Sequence, residues 1–430
     1  MRKNLKKLIN KKFDNWFTNQ KKNNKITVSI VGISKIINWK ADNNKIFHFS
    51  KRFFKIIGIK INTNFFKKNW DQPIILQNEL GILGILKNTK YNKYLLQAKV
   101  EPGNKNKLQL SPTVQATKSN FSQIHGGKKV PYLNFFFKQK KENIFNQSEQ
   151  GFRYLNKFNS NILVKINKGI KLLPGFFWVS LAELKLMINK KNLLNMDTLS
   201  VISTHIKLSK IDRPLNSINF INQWFKKKDS KFFIKKKIVP LSELKDWNYN
   251  SNKINHKDKK HFSVIGIKVK TNKREVNSWC QPILKGKNLA LTGFIVKKFN
   301  SSNHYLCRYI LKPGLKKSVL TCTANTSNIK NFHLDKNLSF VQKKLIKDFF
   351  LNKKYNKSKL FDNIMSDEGG RFYHSQIRYL GLFINDNINI KLSPNYIWVS
   401  HNQMVNMIKQ KRFDIEARLL FGCLNVSNLI

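Results

Sequence analysis

The sequence predicts an α+β protein built from two similar domains in tandem, and three observations carry that reading. Tryptophan-anchored segments recur at a nearly constant spacing, β-branched runs recur within them, and each copy ends on a capped helix start. Trp16 and Phe17 recur as Trp224 and Phe225. Ile30 and Val31 with Ser34 and Trp39 recur as Ile238 and Val239 with Ser242 and Trp247. Ile57-Gly58-Ile59-Lys60 recurs as Ile265-Gly266-Ile267-Lys268, and all these pairs lie 208 positions apart. The offset then grows in small steps, to 209 at Trp70 and Trp279, 211 at Pro102-Gly103 and Pro313-Gly314, 218 at Arg153 and Arg371, and 220 at Trp178 and Trp398. Such a pattern marks a duplicated domain with loop insertions, and copies of about 210 residues are too long for solenoid repeats. The expected domains are residues 1–212 and 213–430.

Within each copy the elements follow in order. An amphipathic segment surrounds the Trp-Phe pair, and a Lys/Asn-rich loop follows it. The second of these loops, Lys226 to His261, is the poorest in apolar periodicity and is the expected linker. Ile57 to Ile61 and Ile265 to Val269 are β-branched and read as strands. The WDQPIIL and WCQPILK segments lead into a second strand, and a hairpin with Asn/Lys/Ser turns comes next. Ser180 with Glu183, and Ser400 with Gln403, form S-x-x-E and S-x-x-Q capping boxes. The helices they open carry Leu184/Met187 and Met404/Met407 on one face.

Composition narrows the function classes. No stretch approaches the roughly 20 apolar residues of a membrane span, and the basic N-terminus lacks the apolar run of a secretory signal. The four cysteines form no C-x-x-C pair, so neither a zinc ribbon nor a disulfide framework is supported. The net charge is +58, yet only 10 of the 81 basic residues are Arg and the Lys are spread through every segment. Asn, Ile and Phe are inflated as well, the signature of a genome drifting toward A and T. A specific nucleic-acid partner is therefore not expected, although such a surface binds polyanions in a salt-dependent way.

Three blocks carry residues fit for chemistry. The first, Gln97 to Gly127, holds Lys99, Glu101, Gln109, Ser111, Gln115, Lys118, Ser119 and His125. Lys99 and Glu101 are two apart on a strand and share a face. The SPTVQATKSN run reads as a polar loop wrapping a ligand. In the second block, QSEQGFRYL and SDEGGRFYH match each other. They keep Arg153 and Arg371 where Lys has displaced Arg almost everywhere, as a site needing a planar fork would require. In the third, NMDT, Asp197 is the expected helix cap. No dinucleotide or phosphate-binding glycine loop, H-E-x-x-H pair or G-x-S-x-G elbow is present.

Together, WDQPIILQNELGILGIL, QAKVEPGN, LQLSPTVQATKSNFSQIHGG, QSEQGFRYL, LLNMDTLSV, EGGRFYH and IEARLLFGCL resemble the NDP-hexose 2,3-dehydratases of deoxysugar biosynthesis. The resemblance implies tandem Nudix-like domains, a homodimer and a dTDP-4-keto-6-deoxyhexose substrate, and the lone cysteines fit a reducing, cytoplasmic location. It implies no metal or redox cofactor, and a downstream 3-ketoreductase to consume a 3,4-diketo-2,6-dideoxy product. For the site it implies Glu101 and His125 in acid–base work, and Lys99, Lys118 and Arg153 at the diphosphate or enolate. Gln109, Ser111, Gln115 and Ser119 would meet sugar hydroxyls or thymine, and Tyr132 would stack on the base. Arg371, Tyr373 and His374 form the analogous set in the second copy. There QLSPTVQAT becomes VLTCTANTS and Glu101 aligns with Lys312. The first half is therefore expected to hold the catalytic pocket. The second half would hold a degenerate nucleotide-sugar pocket or complete the first one. The alternatives are a decayed nucleotide-sugar-binding protein and a basic nucleic-acid-associated protein.

Overall fold

The computed structural model describes residues 2–427 except His125, Lys259, Lys260 and Asp386, with side chains from residue 11 onward. Two small and two large sheets are flanked by helices, so the fold is mixed α+β with a repeated architecture. The long strands coincide with the β-branched runs of the sequence: Lys55–Thr63 and Ser263–Thr271 are central in the small sheets. Each neighbours its W-x-Q-P strand, Trp70–Leu76 or Ser278–Lys285.

The remaining partner of each central strand comes from the other half. Ile26–Val31 pairs antiparallel with Ser263–Thr271, placing Ile30 opposite Ile267. Ile234–Val239 pairs with Lys55–Thr63, placing Ile238 opposite Ile59. The exchange is reciprocal and residue-equivalent. Paired indoles lock it: Trp39 Nε1 donates to the Cys280 carbonyl at 2.8 Å, and Trp247 Nε1 to the Asp71 carbonyl at 2.9 Å. The Lys226 to His261 segment is therefore not a linker loop. It carries the end of the Ile218–Lys231 helix, the exchanged strand, and the strands Trp247–Tyr249 and Lys253–His256. The apolar signal is weak because the exchanged strand lies at a sheet edge with its Lys236 and Ile238 partly or fully open to solvent.

In each large sheet, one parallel pair sits among antiparallel ones. Phe158–Ile166 runs parallel to Gly81–Asn88, and Gln376–Phe383 runs parallel to Leu289–Phe299. The sequence-predicted hairpins form as Gly81–Asn88 with Lys93–Val100 and Leu289–Phe299 with Ser302–Ile310. The SPTVQATKSN run is not a loop. It forms the strands Leu108–Pro112 and Val114–Ala116 and the short helix Lys118–Phe121, because its hydroxyl and amide groups are satisfied inside the sheet. Thr113 Oγ1, for one, donates to the Leu95 carbonyl.

Both capping boxes close as expected, at Ser180/Glu183 and at Ser400/Gln403. Leu184, Met187, Met404 and Met407 all point inward. The helix at NMDT is capped by Asn195, whose Oδ1 accepts from Thr198 N at 2.9 Å, and Asp197 lies buried in the first turn instead. Met196–Thr204 and Ile415–Ser427 pack against each other between the large sheets. Leu199, Leu420, Phe421 and Leu424 join one apolar cluster that spans both halves. At about 1.5–3 kcal/mol per buried large side chain, this shared core leaves neither half with a complete interior of its own.

A Pro-Gly turn from each half presses into the other. Gly103 N donates to the Gly369 carbonyl and Gly314 N to the Gly151 carbonyl, each at 2.7 Å. A Cβ at Gly103 would collide with the Phe372 carbonyl oxygen, and one at Gly314 with that of Tyr154. Both obstacles are backbone, so they cannot rotate away. Gly103→Ala and Gly314→Ala are each expected to lower stability by about 1–3 kcal/mol or more, read as a fall in Tm. An unchanged Tm for both variants would contradict the close approach.

Candidate active site

The large sheet of the first half presents a polar face. Ladder register sets Lys99 opposite Gln109 and Gln97 opposite Ser111, and Gln115 sits on the next short strand. Glu101 follows directly after Val100 and is almost fully buried. Its carboxylate accepts from Gln115 Nε2 at 2.9 Å, Asn104 Nδ2 at 3.4 Å and Gly369 N at 3.2 Å, the last from the other half. Lys99 Nζ donates to the Gln115 carbonyl at 3.0 Å. Asn195 Nδ2 bridges Ser111 Oγ at 2.8 Å and Gln115 Oε1 at 3.0 Å, so the helix cap also orients the amides of this face. Gln109 Nε2 donates to the Asn192 carbonyl at 3.0 Å.

The second half closes this face with residues 368–371. Tyr154 OH donates to Glu368 Oε2 at 2.6 Å. The Arg371 guanidinium lies over the Phe54 ring at 4.0 Å and donates to the Gly370 carbonyl. Glu149 accepts from Asn159 Nδ2 at 2.6 Å through one oxygen, and its other oxygen is buried with no hydrogen-bond partner among the described residues. Lys157 donates to the Glu79 carbonyl, and the Glu79 side chain accepts from Ser119 Oγ at 2.9 Å. Arg274 and Glu275, paired at 3.1 Å, approach from the second half, with Arg274 donating to the Val100 carbonyl.

Crowding of carboxyls sets the electrostatics. Burial, then the neighbouring Glu368, pushes Glu149 up to about 7. Burial and the surrounding acids hold Asp197 well above the usual carboxylate range. Glu368 is raised mainly by burial, with Arg371 opposing. Burial pulls Lys99 and Lys157 below the ordinary ammonium range. The Tyr154 phenol is pushed far up by burial and by Glu368, so it acts as a neutral donor. Among the described residues, no group of three or more His, Cys, Asp or Glu side chains is arranged to hold a metal ion.

The other sequence-predicted residues fall at varied distances from this cluster. Lys118 is exposed on its short helix. The Tyr132 hydroxyl is engaged by the main chain, donating to the Lys171 carbonyl and accepting from Leu173 N. Tyr373 stacks on an exposed His374 at 4.0 Å between ring centroids. His125 lies outside the described residues. Arg153 faces the other half, over the Phe262 ring at 4.1 Å. Sequence reasoning passed over Glu149, Tyr154, Lys157 and Glu368 and took Asp197 only as a cap. A signal was present for three of them, because the matched strings QSEQGFRYL and SDEGGRFYH differ at Glu149, Tyr154 and Glu368.

The duplication supplies an internal comparison. Equivalent backbone hydrogen bonds match Glu368 to Gln150, Tyr154 to Phe372, Lys157 to Ser375 and Glu149 to Asp367. Ladder register matches Gln115 to Asn325 and Lys99 to Ile310. At the place of Glu101 stands Lys312, whose Nζ pairs with Asp414 at 2.8 Å and Glu416 at 2.7 Å. Burial alone would lower Lys312, but these two carboxylates more than offset it and raise it. A cavity of about 670 Å³ opens beside this second cluster, lined by Arg308, Lys312, Asn325 and Glu416 from one half and by Gln150 and Arg153 from the other. Volume and chemistry thus part company: this roomy pocket is the one that lacks the counterparts of Glu101, Tyr154 and Glu368. We weigh the chemistry more heavily, since side chains swing to admit a ligand more readily than they acquire functional groups.

Known proteins resemble the chain over nearly all of its length. It is 29% identical to a dTDP-4-dehydro-6-deoxy-alpha-D-glucopyranose 2,3-dehydratase of Saccharopolyspora spinosa, over 96% of this chain and 90% of that protein. Proteins of the same name from Amycolatopsis orientalis and Streptomyces violaceoruber are also 29% identical over 96% of this chain, covering 89% and 96% of their own lengths. The NDP-hexose 2,3-dehydratase family model matches twice in succession, at residues 10–204 and 219–424, in step with the two copies of the fold. The chain belongs to the NDP-hexose 2,3-dehydratase family.

Proposed function

We propose that this chain removes water from dTDP-4-keto-6-deoxy-D-glucose, the substrate named in its relatives, taking the C3 proton and the C2 hydroxyl to leave a 3,4-diketo-2,6-dideoxyhexose. One observation carries the placement of the reaction: the buried lysine–carboxyl cluster on the first-half sheet is completed from the second half, and its counterpart has lost the key groups. The C4 ketone acidifies the C3 proton and serves as the electron sink, so the site must supply a base, an acid and donors for an enolate oxygen. Glu101, held in place by three hydrogen bonds, is the base in this reading, and Lys99 stabilises the enolate. Ser111 and Gln115 bind sugar hydroxyls beside it.

Several finer points rest on the family resemblance and, for the location, on the lone cysteines. Each half has a Nudix-like fold, the protein works as a cytoplasmic homodimer, and a 3-ketoreductase consumes the unstable diketone. A second reading concerns the cavity of about 670 Å³, which is ample for a nucleotide sugar. Its Lys312 is saturated by two acids, so a ligand held there would not be turned over.

Incubation with dTDP-4-keto-6-deoxyglucose, with the product trapped by a ketoreductase, is expected to show loss of one water by mass spectrometry. Unchanged substrate would overturn the assignment. Glu101→Gln is expected to cut kcat by about 10²–10⁴-fold with folding intact. Near-normal turnover would remove Glu101 from the chemistry. Lys312→Ala strands Asp414 and Glu416 without their cation and should lower stability by about 3–5 kcal/mol in denaturant unfolding. A change under about 1 kcal/mol would mean that the triad is not a buried ion cluster.

A further inference from the structure

The two copies of the fold differ at residues 149 and 368, whose counterparts are Asp367 and Gln150. In the second pocket the equivalent pair is Asp367 and Gln150, and Gln150 Nε2 donates to Asp367 Oδ1 at 3.5 Å. The amide brings the hydrogen that lets the two side chains face each other. In the Glu101 cluster both members are carboxyls, Glu149 and Glu368, on the same equivalent backbone. Two buried carboxylates cannot face each other with both ionised. Burial beside a second carboxyl favours the protonated form of Glu149, and among the described residues its second oxygen is buried without a partner.

We propose that Glu149 and Glu368 share one proton and together form the acid that protonates the departing C2 hydroxyl. This rests on the dehydratase reading above and adds the group that reading leaves unassigned. Tyr154 is a positioning residue, fixing one Glu368 oxygen through its phenol at 2.6 Å. Phe372 stands in its place in the other pocket, so the fixing group and the acid are lost together. Asn159 holds Glu149 in the same way from its own sheet. Charged groups face the pair on every side. Lys157 and Arg418 oppose ionisation cost at Glu149, Arg371 does so at Glu368, and Asp197 and Glu101 add negative charge.

The steps balance. Glu101 takes the C3 proton, and the C–H electron pair moves into the C3–C4 bond as the ketone becomes an enolate. The enolate then reforms the ketone, the C2–C3 double bond forms, and the C2–O bond breaks. The leaving oxygen takes the proton from the Glu149–Glu368 pair and departs as water. The pair, now fully ionised, recovers a proton from Glu101, whose carboxylate already accepts from the main chain of the residue next to Glu368. The ring enol tautomerises to the diketone, and the enzyme returns to its starting state.

Glu368→Gln installs the arrangement of the other pocket, so it is the variant least prone to misfold. In deuterated buffer with dTDP-4-keto-6-deoxyglucose, it is expected to exchange the C3 hydrogen at a rate within about 10-fold of the wild-type turnover while water loss falls at least about 100-fold. Glu149→Gln should show the same split and serves if the first variant does not fold. The wild-type kcat should fall as pH rises through about 7, where Glu149 gives up its proton, and that limb should move in Glu149→Gln. Water loss at the wild-type rate in either folded variant would overturn the proposal. So would exchange and water loss falling together, which would place the pair at the base step or in binding. If the wild type itself neither exchanges nor dehydrates this substrate, the dehydratase reading fails instead.

Discussion

The strand exchange between the halves is the constraint on which everything else depends. Residues 58–63 and 266–271 of the central strands would each have an open edge without the strand supplied by the other half. Pairing it places Trp39 against Cys280 and Trp247 against Asp71, which sets the distance at which the halves can sit. At that distance the Pro-Gly turns at Gly103 and Gly314 must lie flush against the loops at 369–372 and 151–154, where no side chain fits. The same loops deliver Glu368 and Gln150 to the pockets. The geometry of each site is therefore a consequence of sheet pairing rather than of loop flexibility, as a preorganised site requires.

Against that fixed frame the two sites have diverged in volume and in chemistry. Acidic residues are scarce here, 23 against 81 basic, yet Glu101, Glu149, Asp197 and Glu368 gather in one pocket and Asp367, Asp414 and Glu416 in the other. Lysine has spread over the surface, where it costs little, while the interior keeps acids that burial makes expensive to ionise. In the second pocket that expense is offset by Lys312. In the first it is offset only in part, which leaves Glu149 able to hold and release a proton near neutral pH.

Much of the fold was legible in the sequence because it rests on local rules. The β-branched runs at Lys55–Thr63 and Ser263–Thr271, the hairpins and the capping boxes at Ser180 and Ser400 each follow from periodicity or a short motif. The exchange was not legible. Which edge Ile234–Val239 pairs with is a non-local choice, and its run of three lysines hides a strand with one solvated face. In the site, Lys99, Glu101 and Gln115 stood out because they crowd one short block. Glu149 and Glu368 lie more than 200 positions apart, although matching the two copies residue by residue would have exposed Gln150 and Phe372 as the losses.

On the proposed function, the sugar reacts on the first-half sheet, between groups supplied by both halves. A crystal structure with a dTDP-linked sugar that cannot eliminate, such as a 2-deoxy analogue of the ketone, tests this most directly. The sugar ring is expected beside Glu101, Gln115 and Glu368, whether or not a second molecule occupies the cavity next to Lys312. A ring seated only in that cavity, against Arg308 and Arg153, with the Glu101 cluster closed around its own hydrogen bonds, would contradict it.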